Sequence, residues 1–358
     1  MLALLSGCQE AEPPTASQAA ASGNRTTISI DNAMAGWQST GLQVQTGDYL
    51  ALFGAGDWDA DGLSLAPRHL LWYRIGDQGT ATNFSADEEL AMADSAGEVF
   101  VAVKPPGIYW TDDYGTFPPE FLQAPPVPLA VTVEAIRFQG SLEEGLQRLA
   151  DSGDLRAADA LHTLSERKSL PAGFFYLPYL GRSNVWADGT VDGKPGIQAD
   201  TTDDVGIVKL PLDIPLTDTT EIRFDWRYDS LPALGPETEA QFHDYLSIAL
   251  EFDNGQDLTW MWSPTIEAGT HFHCPLPWWD SRETHYVIQS GVDGLGSWHS
   301  HQRNVLSDYR DAIEVPGATR IVGVWFIANS LFGRQRAAAS FARVSVTDGA
   351  QETVIFGP

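Results

Sequence analysis

The sequence is poor in basic residues and contains no long apolar run. It has 21 lysines and arginines against 48 acidic residues among 358, which gives a net charge of −27. A chain this acidic is repelled by nucleic acid and by anionic lipid surfaces, so we expect neither as a partner. No run reaches the eighteen apolar residues that suggest a transmembrane helix. The acidic residues are dispersed, which favours a role in solubility over affinity for cations or neutral substrates.

Cysteine is also scarce, since Cys8 and Cys274 are the two in the sequence. If Cys8 is modified, no intrachain disulfide can form, and buried apolar surface must supply the stability. Cys274 has no nucleophile motif around it, so we expect a packed thiol. In contrast, the chain has 12 tryptophans, 33 glycines and 22 prolines. This composition is typical of β-sandwiches with many turns, and also of sugar-binding faces.

The N-terminus carries Leu5-Ser6-Gly7-Cys8 after a short apolar run. This pattern resembles the lipobox of bacterial lipoproteins, in which the cysteine becomes the lipidated N-terminus. The resemblance implies lipidation of Cys8 and a location outside the cytoplasm. Gln9 in place of aspartate favours the outer membrane of a Gram-negative bacterium. The segment 9–27 has no large apolar residue, so we expect residues 1–27 to be a signal remnant and a disordered tether.

Short alternating runs separated by turn residues extend from residue 28 to residue 138, which indicates a β-sandwich. Over 139–169, leucines recur at helical spacing behind a candidate N-cap, Ser141, and Gly153 divides this linker into two helices. From residue 170 to residue 358 the alternation returns with more aromatic residues, as in a jelly roll. The predicted fold class is all-β, with two β-sandwich domains, jelly-roll or galactose-binding-like, joined by a short helical segment.

Three short blocks follow one another in the first sandwich. They are Trp37-Gln38-Ser39-Thr40-Gly41, Ile75-Gly76 and Asp112-Asp113-Tyr114-Gly115. Together they resemble the calcium-dependent galactose-binding lectins of bacteria. In that family the last block binds Ca²⁺, so the resemblance implies Asp112 and Asp113 as calcium ligands. The alternative is that these residues form an ordinary turn.

A longer series of blocks runs through the second sandwich. It comprises 224–228, 244–252, 258–262, 288–291 and 303–310. These blocks resemble DUF3047, a bacterial family of unknown function found in secreted and periplasmic proteins. The resemblance implies a sandwich like that of carbohydrate-binding modules and implies no established reaction. His271, His273, His299 and His301 depart from the family pattern.

Tryptophans of the second sandwich are the first candidates for a binding site, because indole rings stack on the C–H faces of sugars. The candidates are Trp226, Trp260, Trp262, Trp278, Trp279 and Trp298, with Asp308 as a hydroxyl-binding group. Core packing is the alternative, and we assign at least half of these tryptophans to the core. Trp278 and Trp279 are adjacent and cannot both point inward from a strand, so one of them should be exposed.

Two H-x-H pairs form a second set of candidates. His271 with His273, and His299 with His301, each point to one side of an extended segment. Four imidazoles and an acidic residue would suit a transition metal. The alternative is a hydrogen-bonding histidine cluster at a loop rim.

The same region allows an enzyme. His299, His301, Arg303 and Tyr309 match the base, the carboxylate-neutralising group and the acid of a polysaccharide lyase. A structural ion pair between Arg303 and Asp308 is the alternative use of that arginine.

The sequence therefore predicts a lipid-anchored envelope protein that binds glycan or polysaccharide through the aromatic and His-rich face of its second sandwich. A lyase-type enzyme is the first alternative. A structural envelope protein that binds other proteins is the second.

Overall fold

The computed structural model describes residues 24–357 except 61–62, 66, 106–107, 109 and 111. Cys8 and most of the expected tether lie outside these residues. Within the described part of the chain, no helix has the length and apolar character needed to cross a membrane.

The first half of the chain folds into two facing sheets. Their strands are β1 (Arg25–Asn32), β2 (Gln38–Val44), β3 (Tyr49–Ala60), β4 (Leu63–Leu65), β5 (Leu71–Ile75), β6 (Thr82–Asn83), β7 (Glu88–Met92), β8 (Gly97–Val103) and β9 (Pro128–Phe138). One sheet has the order β1-β9-β3-β4, with β7 also paired to β3, and the other has the order β2-β8-β5-β6. Alternate residues such as Val44, Leu52 and Val101 face inward and form the core between the sheets. Because β1 begins at Arg25, the expected tether of residues 1–27 extends too far.

Three helices follow or interrupt these strands, namely α1 (Pro119–Leu122), α2 (Leu142–Asp151) and α3 (Leu155–Ser165). Ser141 caps α2 as predicted, because its hydroxyl accepts a hydrogen bond from the Glu144 N–H at 3.3 Å. Gly153, in the left-handed region at φ 96°, separates α2 from α3. Leu146 and Ala157 of these helices pack on the outer face of the β1-β9-β3 sheet. The helical segment is thus part of the first sandwich's packing as well as a connection.

The second half forms the larger sandwich. Its strands are β10 (Phe175–Tyr176), β11 (Trp186–Val191), β12 (Lys194–Thr201), β13 (Val205–Pro215), β14 (Glu221–Ser230), β15 (Tyr245–Phe252), β16 (Asp257–Ser263), β17 (His271–His273), β18 (Glu283–Ser290), β19 (Trp298–Asn304), β20 (Arg320–Asn329), β21 (Ala337–Thr347) and β22 (Glu352–Val354), with helix α4 (Val305–Ala312) between β19 and β20. The seven-stranded sheet has the order β10-β13-β20-β15-β16-β18-β17. The six-stranded sheet has the order β11-β12-β21-β14-β19, with β22 on β21.

An aromatic core fills the space between these two sheets. On β15, Leu246, Ile248 and Leu250 face this core, and Tyr245 and Ala249 face the opposite side of the sheet. This alternation follows from the two-residue period of a strand. The all-β prediction is confirmed, with both halves of the chain built as packed sheets.

Candidate functional site

Three of the six candidate tryptophans do not reach solvent. Trp226, Trp260 and Trp262 are fully buried between the sheets of the second sandwich. Their indole N–H groups are also used inside the protein, since Trp226 donates to Gln289 Oε1 at 3.0 Å and Trp262 donates to the Gly291 carbonyl at 2.8 Å. The prediction that these three residues bind sugar is wrong, because β14 and β16 direct them inward.

Asp308 is not a ligand-binding group either. Its buried carboxylate accepts hydrogen bonds from Arg303 Nε and Nη2, both at 2.7 Å, and from Trp260 Nε1 at 2.8 Å. The structure thus has the ion pair that the sequence offered as an alternative. It anchors α4 to the inner face of the seven-stranded sheet.

Tyr309 cannot be the acid of a lyase in this arrangement. It is 4% exposed. Its hydroxyl donates to the Val315 carbonyl and accepts from Asn254 Nδ2 at 2.9 Å. The catalytic role predicted for Tyr309 is therefore wrong, since a buried, fully engaged phenol has no access to substrate.

His299 and His301 share one face of β19 but are both engaged in packing. His299 Nε2 lies 3.0 Å from the Gly294 carbonyl. The His301 ring centroid lies 4.6 Å from that of Trp226. Burial, with smaller effects from His299 and Arg303, lowers the pKa of His301 to about 4. A neutral imidazole does not neutralise a uronate carboxylate, so the structure gives no support to that role for His301.

The two H-x-H pairs do not come together. His271 and His273 are exposed on β17, an edge strand of the seven-stranded sheet. His299 and His301 lie on β19, an edge strand of the other sheet. Among the described residues these four imidazoles form no group at ligand distance. The four-histidine metal hypothesis is wrong, because alternation and sheet order separate the pairs.

Asp112 and Asp113 form the turn that was the alternative to calcium binding. Asp112 Oδ1 accepts hydrogen bonds from the backbone N–H groups of Tyr114 and Thr116, each at 3.0 Å. Asp113 Oδ1 accepts one from the Tyr179 hydroxyl at 3.0 Å. The described residues bring no third histidine, cysteine or carboxylate to this pair.

Trp298 lies on the outer face of the six-stranded sheet and is half-buried. Its indole N–H donates to Asp192 Oδ2 at 3.0 Å. The Lys194 ammonium sits 4.4 Å from its ring centroid. The ring is thus held among surface charges, on the opposite side of the second sandwich from the other exposed candidates.

Trp278 and Trp279 line a cleft of about 300 Å³ between the two sandwiches. We call it the inter-sandwich cleft and define it by Trp72, Lys104, Trp110, Asp112, Asp113, Tyr179, Trp278, Trp279 and Arg282. Both adjacent tryptophans are half-buried. Each therefore presents part of its ring to the cleft.

One wall of the inter-sandwich cleft comes from the first sandwich. Leu71 and Tyr73 of β5 pack toward the core of that sandwich, so Trp72 between them faces outward. The rings of Trp72 and Trp110 meet edge to face at 4.4 Å, and both indole N–H groups are buried without a hydrogen-bond partner among the described residues. The Lys104 ammonium lies 5.1 Å from the Trp72 centroid, and burial lowers its pKa to about 8.

The opposite wall comes from the second sandwich. Trp278 adopts a left-handed backbone at φ 74°, which is rare for a bulky residue and recurs at functional sites. Its ring meets Trp279 at 4.8 Å and Tyr179 at 5.3 Å, both edge to face. The Arg282 guanidinium lies 5.4 Å from the Trp278 centroid and is held by Asp257 at 3.1 Å. Rings and charged groups are thereby fixed around one opening.

The sequence predicts four of these residues as site candidates, although it does not place them together, namely Asp112, Asp113, Trp278 and Trp279. Trp278 and Trp279 stood out because they are adjacent, whereas Trp72, Lys104 and Trp110 did not stand out. The run Leu71 to Ile75 contains no polar alternation that marks Trp72 as outward-facing. The cleft also needs contact between the sandwiches, such as the bond between Tyr179 and Asp113, and no local pattern encodes that contact.

Residues 180–345 match the family model described as "Protein of unknown function (DUF3047)", which confirms the resemblance of the second sandwich. No curated protein matches the chain. The lectin resemblance of residues 28–138 stays a prediction.

Solved structures give matches at low similarity. The xyloglucanase domain of NopAA, a type three effector from Sinorhizobium fredii, is 11% identical, with 50% of this chain and 99% of that chain covered and a TM-score of 0.30. The family 11 carbohydrate-binding module of the cellulase Lic26A-Cel5E of Clostridium thermocellum is 12% identical, with 49% and 95% covered and a TM-score of 0.22. The CBM22 tandem domain of Paenibacillus barcinonensis Xyn10C is 10% identical, with 93% and 89% covered and a TM-score of 0.23. Matches this weak carry no argument about function.

Proposed function

We propose that the protein binds carbohydrate in the inter-sandwich cleft. The observation that carries this proposal is the meeting of four indole rings, from Trp72, Trp110, Trp278 and Trp279, around one opening. Indole faces pack well against the apolar C–H faces of sugar rings. The N–H groups of Trp72 and Trp110 are themselves buried, so these two residues would contribute ring surface and not hydrogen-bond donors to a bound sugar.

The polar groups of the cleft fit the hydrogen-bonding needs of a sugar. Lys104 donates to the Ile108 carbonyl at 3.0 Å, and an ammonium has further N–H donors. Arg282 is fixed by Asp257, and Asp113 presents a carboxylate that accepts hydrogen bonds. Apolar surface with a few convergent polar groups is the usual make-up of a small-molecule site.

Binding without turnover is the better-supported form of this function. Among the described residues that line the cleft, the carboxylates are Asp112 and Asp113, which are adjacent in the chain and engaged in hydrogen bonds. A glycosidase needs two carboxylates placed on either side of the scissile bond. The acid predicted for the lyase alternative, Tyr309, is buried and has no access to substrate.

The proposal is tested with a panel of neutral and uronate-containing polysaccharides, by affinity electrophoresis and calorimetry. We expect Trp278→Ala to weaken binding of the retained glycan at least about tenfold, the equivalent of roughly 1.4 kcal/mol. Trp298→Ala is the matched control, because it removes an indole from the opposite side of the same sandwich. Failure of the wild-type protein to retain any glycan would overturn the proposal and favour a protein partner.

The same panel separates binding from catalysis. We expect no new reducing ends and no unsaturated products after long incubation. Release of either product would replace the binding proposal with the enzyme alternative.

We further propose that the protein is held outside the cytoplasm by a lipid on Cys8, at the outer membrane of a Gram-negative bacterium. The sequence Leu5-Ser6-Gly7-Cys8 supports this proposal. Radiolabelled palmitate should enter the wild-type protein in bacteria and should not enter Cys8→Ser. Equal labelling of both proteins, or labelling of neither, would contradict it.

A further inference from the structure

The outer face of the seven-stranded sheet carries a buried group of three metal-ligating side chains. Strand alternation puts Glu283 and His285 of β18 on this face. Cys274 follows β17, and its N–H donates to the Glu283 carbonyl at 3.0 Å. His243 precedes β15. One ligand atom from each of His243, Cys274 and His285 lies within 4.8 Å of the other two, and all three residues are buried.

The hydrogen bonds of His243 leave one nitrogen free to act as a ligand. Its Nδ1 lies 2.5 Å from the Glu237 carbonyl oxygen. Because that oxygen only accepts, Nδ1 carries the proton and Nε2 carries the lone pair. Nε2 lies 3.3 Å from Cys274 Sγ. Orientation of a ligating histidine by a backbone carbonyl is the usual second-sphere arrangement at metal sites.

His285 supplies the independent observation. Its side chain is fully buried, and within the described part of the chain neither ring nitrogen has a hydrogen-bond partner. The nearest carboxylate oxygen, Glu283 Oε1, lies 3.6 Å from Nε2, which is beyond hydrogen-bond range. A buried imidazole with both nitrogens unpaired costs free energy, and native proteins rarely keep such a group without a partner. A bound ion would satisfy one of the two nitrogens.

We propose that His243, Cys274 and His285 together bind a single transition-metal ion of the zinc class. Imidazole nitrogen and thiolate sulfur are the donors that Zn²⁺ and related ions prefer, whereas Ca²⁺ and Mg²⁺ prefer oxygen. Three protein ligands leave a fourth position, and Glu283 is the adjacent carboxylate. A thiolate and a carboxylate would balance the charge of a divalent ion in this buried setting.

The protonation states of the three side chains fit this assignment, and they show that metal binding must displace a proton from the thiol. Burial lowers the pKa of His243 to about 4 and holds the pKa of His285 well below its usual range, so both imidazoles are neutral at pH 7. Burial raises the pKa of the Cys274 thiol, so without an ion it keeps its proton. Metal binding therefore forms the metal–sulfur bond and releases the thiol proton to solvent.

A route to the site exists in the fold. A cavity of about 100 Å³ is lined by Tyr245, Cys274 and Glu283 and extends to Leu331 and Phe332. These last two side chains are 42% and 41% exposed. The cavity thus leads from the end of β20 to the Cys274 side of the proposed site.

The test uses the full chain, stripped with a chelator and titrated with Zn²⁺ or Co²⁺. We expect one equivalent of metal by elemental analysis and release of a proton in weakly buffered solution. Bound Co²⁺ should give a thiolate charge-transfer band and tetrahedral d–d bands, and Zn²⁺ should raise the melting temperature. Absence of stoichiometric binding to the folded wild-type protein would overturn the proposal.

Variants identify the ligands. Cys274→Ala and His285→Gln should lose the equivalent of metal, the cobalt bands and the zinc-dependent melting shift. His271→Gln and His273→Gln remove exposed imidazoles from the neighbouring strand and should keep all three signals. Cys8→Ser should keep the cobalt–sulfur band. Circular dichroism checks that each variant is folded. Full metal binding by folded Cys274→Ala, or loss of binding in the β17 variants, would overturn the assignment.

Discussion

The inner face of the seven-stranded sheet packs aromatic rings and aliphatic side chains against a second sheet. Its outer face combines apolar residues such as Met261 and Trp325 with buried ionisable groups. On β16 the inner residues are Leu258, Trp260 and Trp262, and the outer residues include Asp257 and Thr259. Both faces are buried, so burial alone does not distinguish them. The two faces differ in what covers them. A second sheet packs its side chains against the inner face, and loops over the outer face supply backbone and side-chain hydrogen bonds.

Residues on the two faces contribute to different properties of the protein. Inner-face tryptophans contribute buried apolar area, which stabilises the fold at about 25 cal/mol per Å². Outer-face groups cost desolvation: hydrogen bonds from Tyr245 and Thr259 compensate Glu283, whereas His285 has no hydrogen-bond partner among the described residues. Substitutions on the two faces should therefore separate stability from ligand binding.

The largest effect is expected for Trp260→Ala on the inner face. The residue is fully buried, and removal of a buried tryptophan costs about 3–5 kcal/mol of unfolding free energy. Urea unfolding followed by circular dichroism measures it. A loss below about 1 kcal/mol would show that this face is not a closed core.

Strand alternation is the part of the fold that could be predicted from sequence. The inward set Leu246, Ile248 and Leu250 follows from period two alone, as does the outward position of Tyr245. The cap at Ser141 follows from local chemistry. The sequence also identified a core role for at least half of the tryptophans, but not which ones.

What could not be predicted depends on distant segments. His243, Cys274 and His285 come from three separate parts of the chain, and no spacing rule joins them. Trp110 and Trp278 line the same inter-sandwich cleft, which exists only when both sandwiches are folded and in contact. In both cases tertiary packing brings the residues together. In the sequence they are far apart, so no local pattern indicates that they share a site.

The inner face has a polar exception, the ion pair between Arg303 and Asp308, and the second prediction concerns its contribution to stability. Asp308→Ala leaves Arg303 and the Trp260 N–H without their acceptor. Loss of one partner of a buried pair costs 3–5 kcal/mol, and we expect about 2–4 kcal/mol because Arg303 is partly exposed. Asp311→Ala, on the exposed side of α4, is the control and should cost less than about 1 kcal/mol. Equal losses in both variants would contradict the structural role of the pair.

The third prediction concerns Lys104, a largely buried ammonium that pairs with no carboxylate among the described residues. Burial lowers the pKa of Lys104 from 10.5 to about 8. Between these values the unfolded chain binds more protons than the folded chain, so the stability of the wild type rises with pH in this window. Lys104→Met removes that linkage.

We therefore expect Lys104→Met to be more stable than the wild type at pH 7, by about 1–3 kcal/mol after allowance for partial exposure. The difference should shrink as the pH rises from 8 toward 10.5. Urea unfolding of both proteins at several pH values measures it, and the other titrating groups cancel between them. A difference that does not change with pH would contradict the burial of this ammonium.

The smallest effect is expected for Trp298→Ala, on the outer face of the six-stranded sheet. Its ring contacts the Lys194 ammonium at 4.4 Å, and its N–H bonds Asp192. Cation–π contacts at exposed sites contribute about 0.5–1 kcal/mol, so the loss of unfolding free energy should be of that order. Glycan retention should not change, because this ring lies across the second sandwich from Trp278. If Trp298→Ala abolished retention while Trp278→Ala kept it, the ligand-binding face would be the six-stranded sheet and not the inter-sandwich cleft.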